Sequence, residues 1–127
     1  MDLYRKLIID HYKHPQNFGH LKHPTGAATL SNTSCGDQVT MKVELIKKDG
    51  KITIGDIRFS GVGCAISLAA ASLLTEQVKG KKVQEVQSYK GDMMRKMIGV
   101  ALTPSRVKCA TLPLEVLQKA LEGVLKD

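Results

Sequence analysis

The sequence predicts an α+β fold in which a small three-stranded antiparallel sheet is packed on one face by about four to five helices. Three observations support this prediction. Apolar and polar residues alternate in stretches between residues 27 and 60, an alanine- and leucine-rich stretch begins at Ala65, and both ends of the chain carry apolar residues at helical spacing. A chain of 127 residues without repeats suits one domain over residues 1–127, and the absence of tryptophan predicts an aliphatic core.

The first half of the chain supplies one helix and the sheet. Apolar residues at helical spacing predict a helix from Asp2 to Lys13, which stops before Pro15. Residues 14–26 contain two prolines and two glycines and are expected to form a loop. Strands are predicted over 27–33, 39–46 and 52–60, the last two joined by Asp49-Gly50, a strong hairpin signal.

The second half of the chain is predicted to be helical. Its composition and spacing indicate helices over 65–78, 82–89, 91–99 and 110–125. We expect Gly80 to end the first of these four helices. Thr103-Pro104-Ser105-Arg106 interrupts the apolar pattern and is interpreted as a break before the last helix.

Composition restricts the partners that the chain can have. The net charge of +7 suits an acidic protein or a nucleic acid, but the lysines are scattered and no aromatic residues lie between them to stack on bases. We therefore expect no specific nucleic-acid partner.

No apolar run has membrane-spanning length and no signal-peptide pattern is present, so the expected location is cytoplasmic, with reduced thiols and no membrane partner. The four histidines fit no zinc-helix spacing and are expected to face solvent.

Cys64 stands where the third strand should pass into the alanine-rich helix. Gly61 and Gly63 allow a tight backbone turn there, which places Cys64 at or near the helix N-terminus. Unpaired N–H groups and the helix dipole at such a position favour an anion and lower the pKa of a thiol. The sulfur then suits a metal ligand or a nucleophile. The alternative is a small buried side chain that only fills the strand–helix joint.

The remaining cysteines and one carboxylate complete a set of four ligands. Cys35 and Asp37 flank a glycine in the turn between the first two strands, and Cys109 is expected near the N-terminus of the last helix. Together with Cys64 they offer three sulfurs and one oxygen, which suit tetrahedral zinc or the iron of a cluster. No Cys-x-x-Cys is present, and each ligand is predicted to come from a different loop. This arrangement favours an exchangeable site over a structural zinc-binding module, which remains the alternative.

The motifs around these ligands are similar to those of a known family. The three segments Cys35-Gly-Asp37, Gly61-Val-Gly-Cys64-Ala-Ile-Ser67 and Lys108-Cys109-Ala-Thr-Leu112 resemble the signatures of the U-type iron–sulfur scaffold proteins: IscU, SufU and the N-terminal part of NifU. The resemblance covers essentially the whole chain. It implies a site at Cys35, Asp37, Cys64 and Cys109 that binds zinc at rest and a transient iron or [2Fe–2S] cluster. It also implies a pyridoxal-phosphate cysteine desulfurase as sulfur donor, and apo iron–sulfur proteins or other assembly components as recipients.

Two features leave the role within that family open. Lys108 stands where IscU proteins have a histidine, which resembles SufU, whereas the short spacing from Cys64 to Cys109 resembles IscU. The chain is thus interpreted as a cluster scaffold, a zinc-dependent sulfurtransferase-type carrier, or both. Cys35 is the candidate persulfide acceptor, with Cys109 as the alternative. We expect protonated Lys108 to stabilise the Cys109 thiolate, unless it only points into solvent.

Overall fold

The structure, a computed structural model, describes residues 3–33 and 36–125, the side chain of Leu125 excepted. Its elements follow in the order α1 (Leu3–Lys13), β1 (Gly26–Asn32), β2 (Asp37–Lys48), β3 (Lys51–Val62), α2 (Ala65–Val78), α3 (Val83–Gln87), α4 (Gly91–Ile98) and α5 (Pro104–Leu125). The predicted fold is confirmed: one antiparallel sheet in the order β1-β2-β3 and five helices. Asp2, the predicted first residue of α1, lies outside the described residues.

The sheet turns one apolar face toward the helices. The fully buried residues of the two central strands are Val39, Met41 and Val43 on β2 and Ile54, Ile57 and Phe59 on β3. They alternate along each strand except between Ile54 and Ile57, where the pairing shifts at a β-bulge. Both strands extend beyond the predicted ranges, because Lys47 and Lys48 continue to pair with Ile52 and Lys51 after the alternation has ended. Asp49 and Gly50 both have positive φ, as a two-residue hairpin turn of type I′ requires.

The helices α2 and α5 pack on the sheet, and α5 begins earlier than predicted. The expected break at Thr103–Arg106 is wrong, because Pro104 is the first residue of the helix and does not interrupt it. A proline fits that position, since its missing N–H would have no partner in the first turn and its fixed φ suits a helix. The carbonyl of Thr103 accepts the N–H groups of Arg106 and Val107. Cys109 therefore lies within the helix, in its second turn.

The loop between α1 and β1 covers part of the free edge of β3. Phe59 donates its N–H to Asn17 and accepts the N–H of Gly19, and the ring of Phe18 meets the Phe59 ring edge to face. This leaves less of the edge exposed to other chains.

The N-terminal helix is joined to α2 by a polar contact. His11 lies with Nδ1 2.7 Å from Ser72 Oγ, and its side chain is only 13% exposed. The expectation that the histidines face solvent is wrong for this residue, because a buried serine on α2 offers its imidazole a partner. Within the described ranges, every helix is too short or too polar to cross a bilayer.

Candidate metal centre

Three of the four predicted ligands meet at one end of the sheet. Asp37 is the first residue of β2, Cys64 is the N-cap residue of α2, and Cys109 lies in the second turn of α5. One ligand atom from each lies within 4.8 Å of the others, so the group could hold a metal ion. The expectation that each ligand comes from a loop is wrong for Asp37, which begins a strand, and for Cys109, which is helical. The fourth predicted ligand, Cys35, lies outside the described residues.

The Asp37 carboxylate is fixed against the turn that carries Cys64. Its side chain is buried, and Oδ1 accepts the backbone N–H of Cys64 at 2.9 Å. Oδ2 lies 4.0 Å from Cys64 Sγ. Gly63 makes this approach possible, because a Cβ on Gly63 would stand 2.7 Å from Asp37 Oδ1 and would also meet the hydroxyl of Ser67. The glycine thus serves the placement of the carboxylate as well as the turn.

The environment of Cys64 favours its thiolate. Burial raises the pKa of this thiol, but the nearby N–H of Ser67, the Cys109 thiol and the Ser67 hydroxyl outweigh burial, so the pKa lies below its ordinary value. The negative charge of Asp37 opposes the change. The Cys64 side chain makes no N-cap hydrogen bond of standard geometry, although the helix N-terminus still favours a negative sulfur. The predicted position of Cys64 at a helix N-terminus is confirmed.

Arg106 also lies beside the sulfurs of the centre, which the sequence did not predict. Its guanidinium is exposed, and the negative sulfurs of Cys64 and Cys109, as charges and as hydrogen-bond acceptors, raise the pKa of Arg106. Arg106 precedes Cys109 by three residues, which places both on one side of a helix. This spacing is present in the sequence, but it places the two residues on one side of a helix only if α5 begins at Pro104.

Lys108 lies in a different environment from the two sulfurs. It is exposed and lines a polar cleft with Thr33, Thr111 and Glu115. Adjacent residues of a helix project about 100° apart, so neighbouring Cys109 in sequence does not give Lys108 the same direction. Cys109 itself is fully buried, with Sγ 3.9 Å from the Ser105 carbonyl oxygen.

An open apolar cleft adjoins the exposed side of the centre. It has a volume of about 520 Å³ and lies between α1, the start of α2 and the segment before α5. Its lining includes Ile8, Ile9 and Leu102, with Cys64 and Arg106 at one side. A partner seated in this cleft would reach the Cys64 sulfur directly.

Comparison with known proteins places this chain in a family. Residues 3–125 match the family described as the NifU-like N-terminal domain. The chain belongs to that family, whose signatures the sequence motifs resemble.

Relatives carry two kinds of description. The chain is 37% identical to the zinc-dependent sulfurtransferase SufU of Bacillus subtilis, over 98% of this chain and 91% of that protein. It is 33% identical to the iron–sulfur cluster assembly scaffold protein IscU of Aquifex aeolicus, over 96% of this chain and 76% of that protein. A crystal structure of a SufU from Fervidobacterium islandicum superposes with a TM-score of 0.75 at 31% identity, covering 91% of this chain and 94% of that one.

Proposed function

We propose that this protein works in iron–sulfur cluster assembly by accepting sulfur from a cysteine desulfurase at a metal-held cysteine centre. The observation that carries the proposal is the approach of Asp37, Cys64 and Cys109 to within 4.8 Å, with Arg106 acting on both sulfurs. Two thiolates, a carboxylate and an arginine suit the binding and transfer of sulfur. A structural zinc module would not need an exposed cation beside its thiolates.

The donor set fits zinc as the resident ion. Zinc–ligand bonds of about 2.0–2.3 Å place neighbouring donors of a tetrahedral site roughly 3.3–3.8 Å apart. The 4.0 Å between Asp37 Oδ2 and Cys64 Sγ is close to that spacing. Asp37, Cys64 and Cys109 would hold the ion, and Cys35 is the proposed fourth ligand. When bound, zinc supplies positive charge that keeps its sulfur ligands deprotonated.

Sulfur transfer then needs one thiolate that a donor can reach. That thiolate attacks the outer sulfur of the desulfurase persulfide, a new S–S bond forms, the donor S–S bond breaks, and the desulfurase cysteine leaves as a thiolate. One sulfur atom moves, and no outside oxidant or reductant is required. We propose Cys35 for this role, as the resemblance to SufU implies. Cys109 is fully buried and would have to move before a donor sulfur could reach it, whereas Cys64 lines the apolar cleft and is the alternative that the geometry adds.

The remaining residues of the centre prepare this transfer. Arg106 places a permanent positive charge beside the sulfurs and so stabilises a thiolate or a persulfide anion. The apolar cleft beside Cys64 is the proposed seat of the desulfurase, because burying it would exclude water from the reacting sulfurs. Apo iron–sulfur proteins or other assembly components are the proposed recipients.

A persulfide assay with a purified cysteine desulfurase tests this function. We expect labelled sulfur from cysteine to appear on the zinc-loaded chain as a persulfide that thiol reductants remove. Cys35→Ser should abolish the label on this chain, whereas the exposed-site control Lys13→Ser should keep it. Absence of label on the wild-type chain, with zinc present and the desulfurase active, would contradict sulfur acceptance and favour the structural zinc module.

Scaffold activity is the second candidate, because relatives are described as cluster assembly scaffold proteins. In that case a [2Fe–2S] cluster is the cargo carried by the cysteines. Anaerobic incubation with iron, cysteine and the desulfurase should then give a brown protein with visible absorption. A colourless protein that retains about one zinc ion per chain favours the carrier.

A further inference from the structure

A second cleft lies at the opposite end of the sheet from the metal centre. It has a volume of about 480 Å³ and opens between the β2–β3 hairpin and α3. We call it the hairpin cleft; besides Gly50 at the turn, it is lined by Lys51, Ile52, Lys82, Val83, Gln84 and Gln87. β2 runs from Asp37 at the centre to Lys48 at the hairpin, which at about 3.3 Å per residue separates the two sites by roughly 35 Å.

Positive charge surrounds the hairpin cleft. Lys51 and Lys82 line it, and Lys47 is the cross-strand partner of Ile52, so it shares that residue's face of the sheet. Across residues 3–33 and 36–125, the ion pairs of the structure engage none of these lysines. The nearby acidic residues Asp49 and Glu85 do not line the cleft. Within the described residues, the lining of the cleft therefore carries two positive charges and no negative one.

The walls of the cleft are apolar at their base and held in place. Val83 is buried and Ile52 is half-buried, so a side chain entering between the lysines would meet hydrocarbon. The loop before α3 is pinned to β3, because Ile54 donates its N–H to the Lys81 carbonyl at 2.9 Å. At the far end of α3, Gln87 donates to the Gln118 carbonyl of α5 at 3.2 Å. A preformed cleft of this kind lowers the entropy cost of binding.

We propose that the hairpin cleft is a docking site for an acidic segment of a partner protein, with one large apolar side chain of that segment entering between Lys51 and Lys82. Charge complementarity selects carboxylates, and the base formed by Ile52 and Val83 selects the apolar anchor. A nucleic acid fits less well, because no aromatic side chain lines the cleft to stack on a base. The distance from the metal centre lets such a partner bind while a sulfur donor occupies the other end.

Nuclear magnetic resonance titration of the zinc-loaded full chain tests this proposal. The probe is a short synthetic peptide of glutamates and aspartates with a central leucine, and a second peptide carries serine in place of the leucine. The test variant is Lys51→Glu with Lys82→Glu. The matched control is Lys13→Glu with Lys96→Glu, which changes net charge equally at two exposed lysines elsewhere. Zinc content and circular dichroism establish that each variant is folded.

We expect amide shifts at Ile52, Val83, Gln84 and Gln87, with the amides around Cys64 unmoved. The test variant should lose about tenfold in peptide affinity, since two exposed charge pairs become repulsive, and the control should lose much less. The serine peptide should bind more weakly than the leucine peptide. Equal loss in both variants, equal binding of both peptides, or tighter binding of an oligothymidylate or of phosphatidylserine vesicles at these residues would each overturn the proposal.

Discussion

At the scale of single residues, the chemistry proposed for the metal centre depends on which of two cations, Arg106 or Lys108, faces the sulfurs. Arg106 and Lys108 stand three positions and one position before Cys109, and only the first spacing brings a side chain over the same side of a helix. Arg106 acts on both sulfurs, whereas Lys108 lines the polar cleft beside Glu115. The two cations thus make a matched pair for mutagenesis, of equal charge and close in sequence.

Removal of the Arg106 charge should slow sulfur acceptance. We expect Arg106→Met to lower the rate of persulfide formation several-fold, because an exposed cation still favours a nearby thiolate or persulfide anion, although solvent screens part of its charge. Zinc content should stay near that of the wild type, since Arg106 offers no lone pair to a metal. Lys108→Met is the comparison. The role first expected for Lys108 requires its variant to be the slower of the two, and that result would contradict the assignment to Arg106.

A methyl group at Gly63 should disturb the metal centre selectively. In Gly63→Ala the added Cβ would press on Asp37 Oδ1 and on the Ser67 hydroxyl. We expect zinc affinity to fall about tenfold or more as the carboxylate is displaced, a cost on the order of 1–2 kcal/mol. Competition with a chromophoric zinc chelator measures it. Gly123→Ala is the control, because an added Cβ there meets no atom within 4 Å and helix propensity favours alanine. Unchanged zinc affinity in Gly63→Ala would mean that the carboxylate is not a ligand.

At the scale of elements, the sequence predicted those whose pattern is local. The helix over 65–78 was predicted at both ends, because its apolar run is bounded by Cys64 at the start and Gly80 after the end. The hairpin followed from Asp49-Gly50, whose backbone preference is intrinsic. The start of α5 was not predicted, because a proline such as Pro104 can either break a helical pattern or be the first residue of a helix. Only packing of the helix against the sheet decides between them.

The site was predicted in part for the same reason. Residue chemistry and spacing were enough to select Asp37, Cys64 and Cys109, which the fold brings together. Their mutual approach comes from three elements far apart in sequence, so no local pattern could give it. Arg106 was missed because its direction depends on where α5 begins. The roles of Cys35 and Lys108 remain predictions.

Ion pairs between β3 and the end of α2 make part of the free energy of unfolding depend on pH. Asp56 on β3 pairs with Arg58 and with Lys79 at the end of α2. Burial raises the pKa of Asp56, but the Ile57 N–H and these two cations outweigh it, so the pKa lies below its ordinary value. A carboxyl group with a lowered native pKa stabilises the fold above its unfolded pKa of about 3.9. That stabilisation is lost as the pH falls through the native pKa.

Asp56→Asn should therefore destabilise the protein at neutral pH and cease to do so in acid. We expect a loss of about 0.5–1 kcal/mol in the free energy of unfolding near pH 7, since the side chain is partly exposed. Urea denaturation at a series of pH values measures the difference from wild type, which should shrink below pH 4 or so. Asp92→Asn is the control, because that side chain is 82% exposed and should contribute less. A difference that does not change with pH would contradict the role of the Asp56 charge.

At the scale of the whole molecule, the centre ties the sheet to two helices. Asp37 begins β2, Cys64 is the N-cap residue of α2 and Cys109 lies in α5. One ion would therefore connect three elements that otherwise meet through apolar packing and through the hydrogen bond from the Cys64 N–H to Asp37. These ligands are 27 and 45 residues apart along the chain (37 to 64 and 64 to 109). An unfolded chain brings such distant groups together only at a large cost in entropy, so the ion should bind the native state far better than the unfolded state.

Metal removal should accordingly lower the melting temperature. If free zinc exceeds its dissociation constant a hundredfold, the native state gains about 2.7 kcal/mol, which corresponds to a shift of roughly 10 °C for a domain of this size. Differential scanning fluorimetry before and after chelation measures the shift, with metal analysis to establish that the zinc has gone. Cys64→Ser is the matched control, because serine is a good N-cap and should keep α2 folded while it weakens the metal site. Its melting temperature should lie near that of the stripped wild type and respond little to the chelator. A stripped wild-type protein that melts at the zinc-loaded temperature would show that the three elements are held together without the ion.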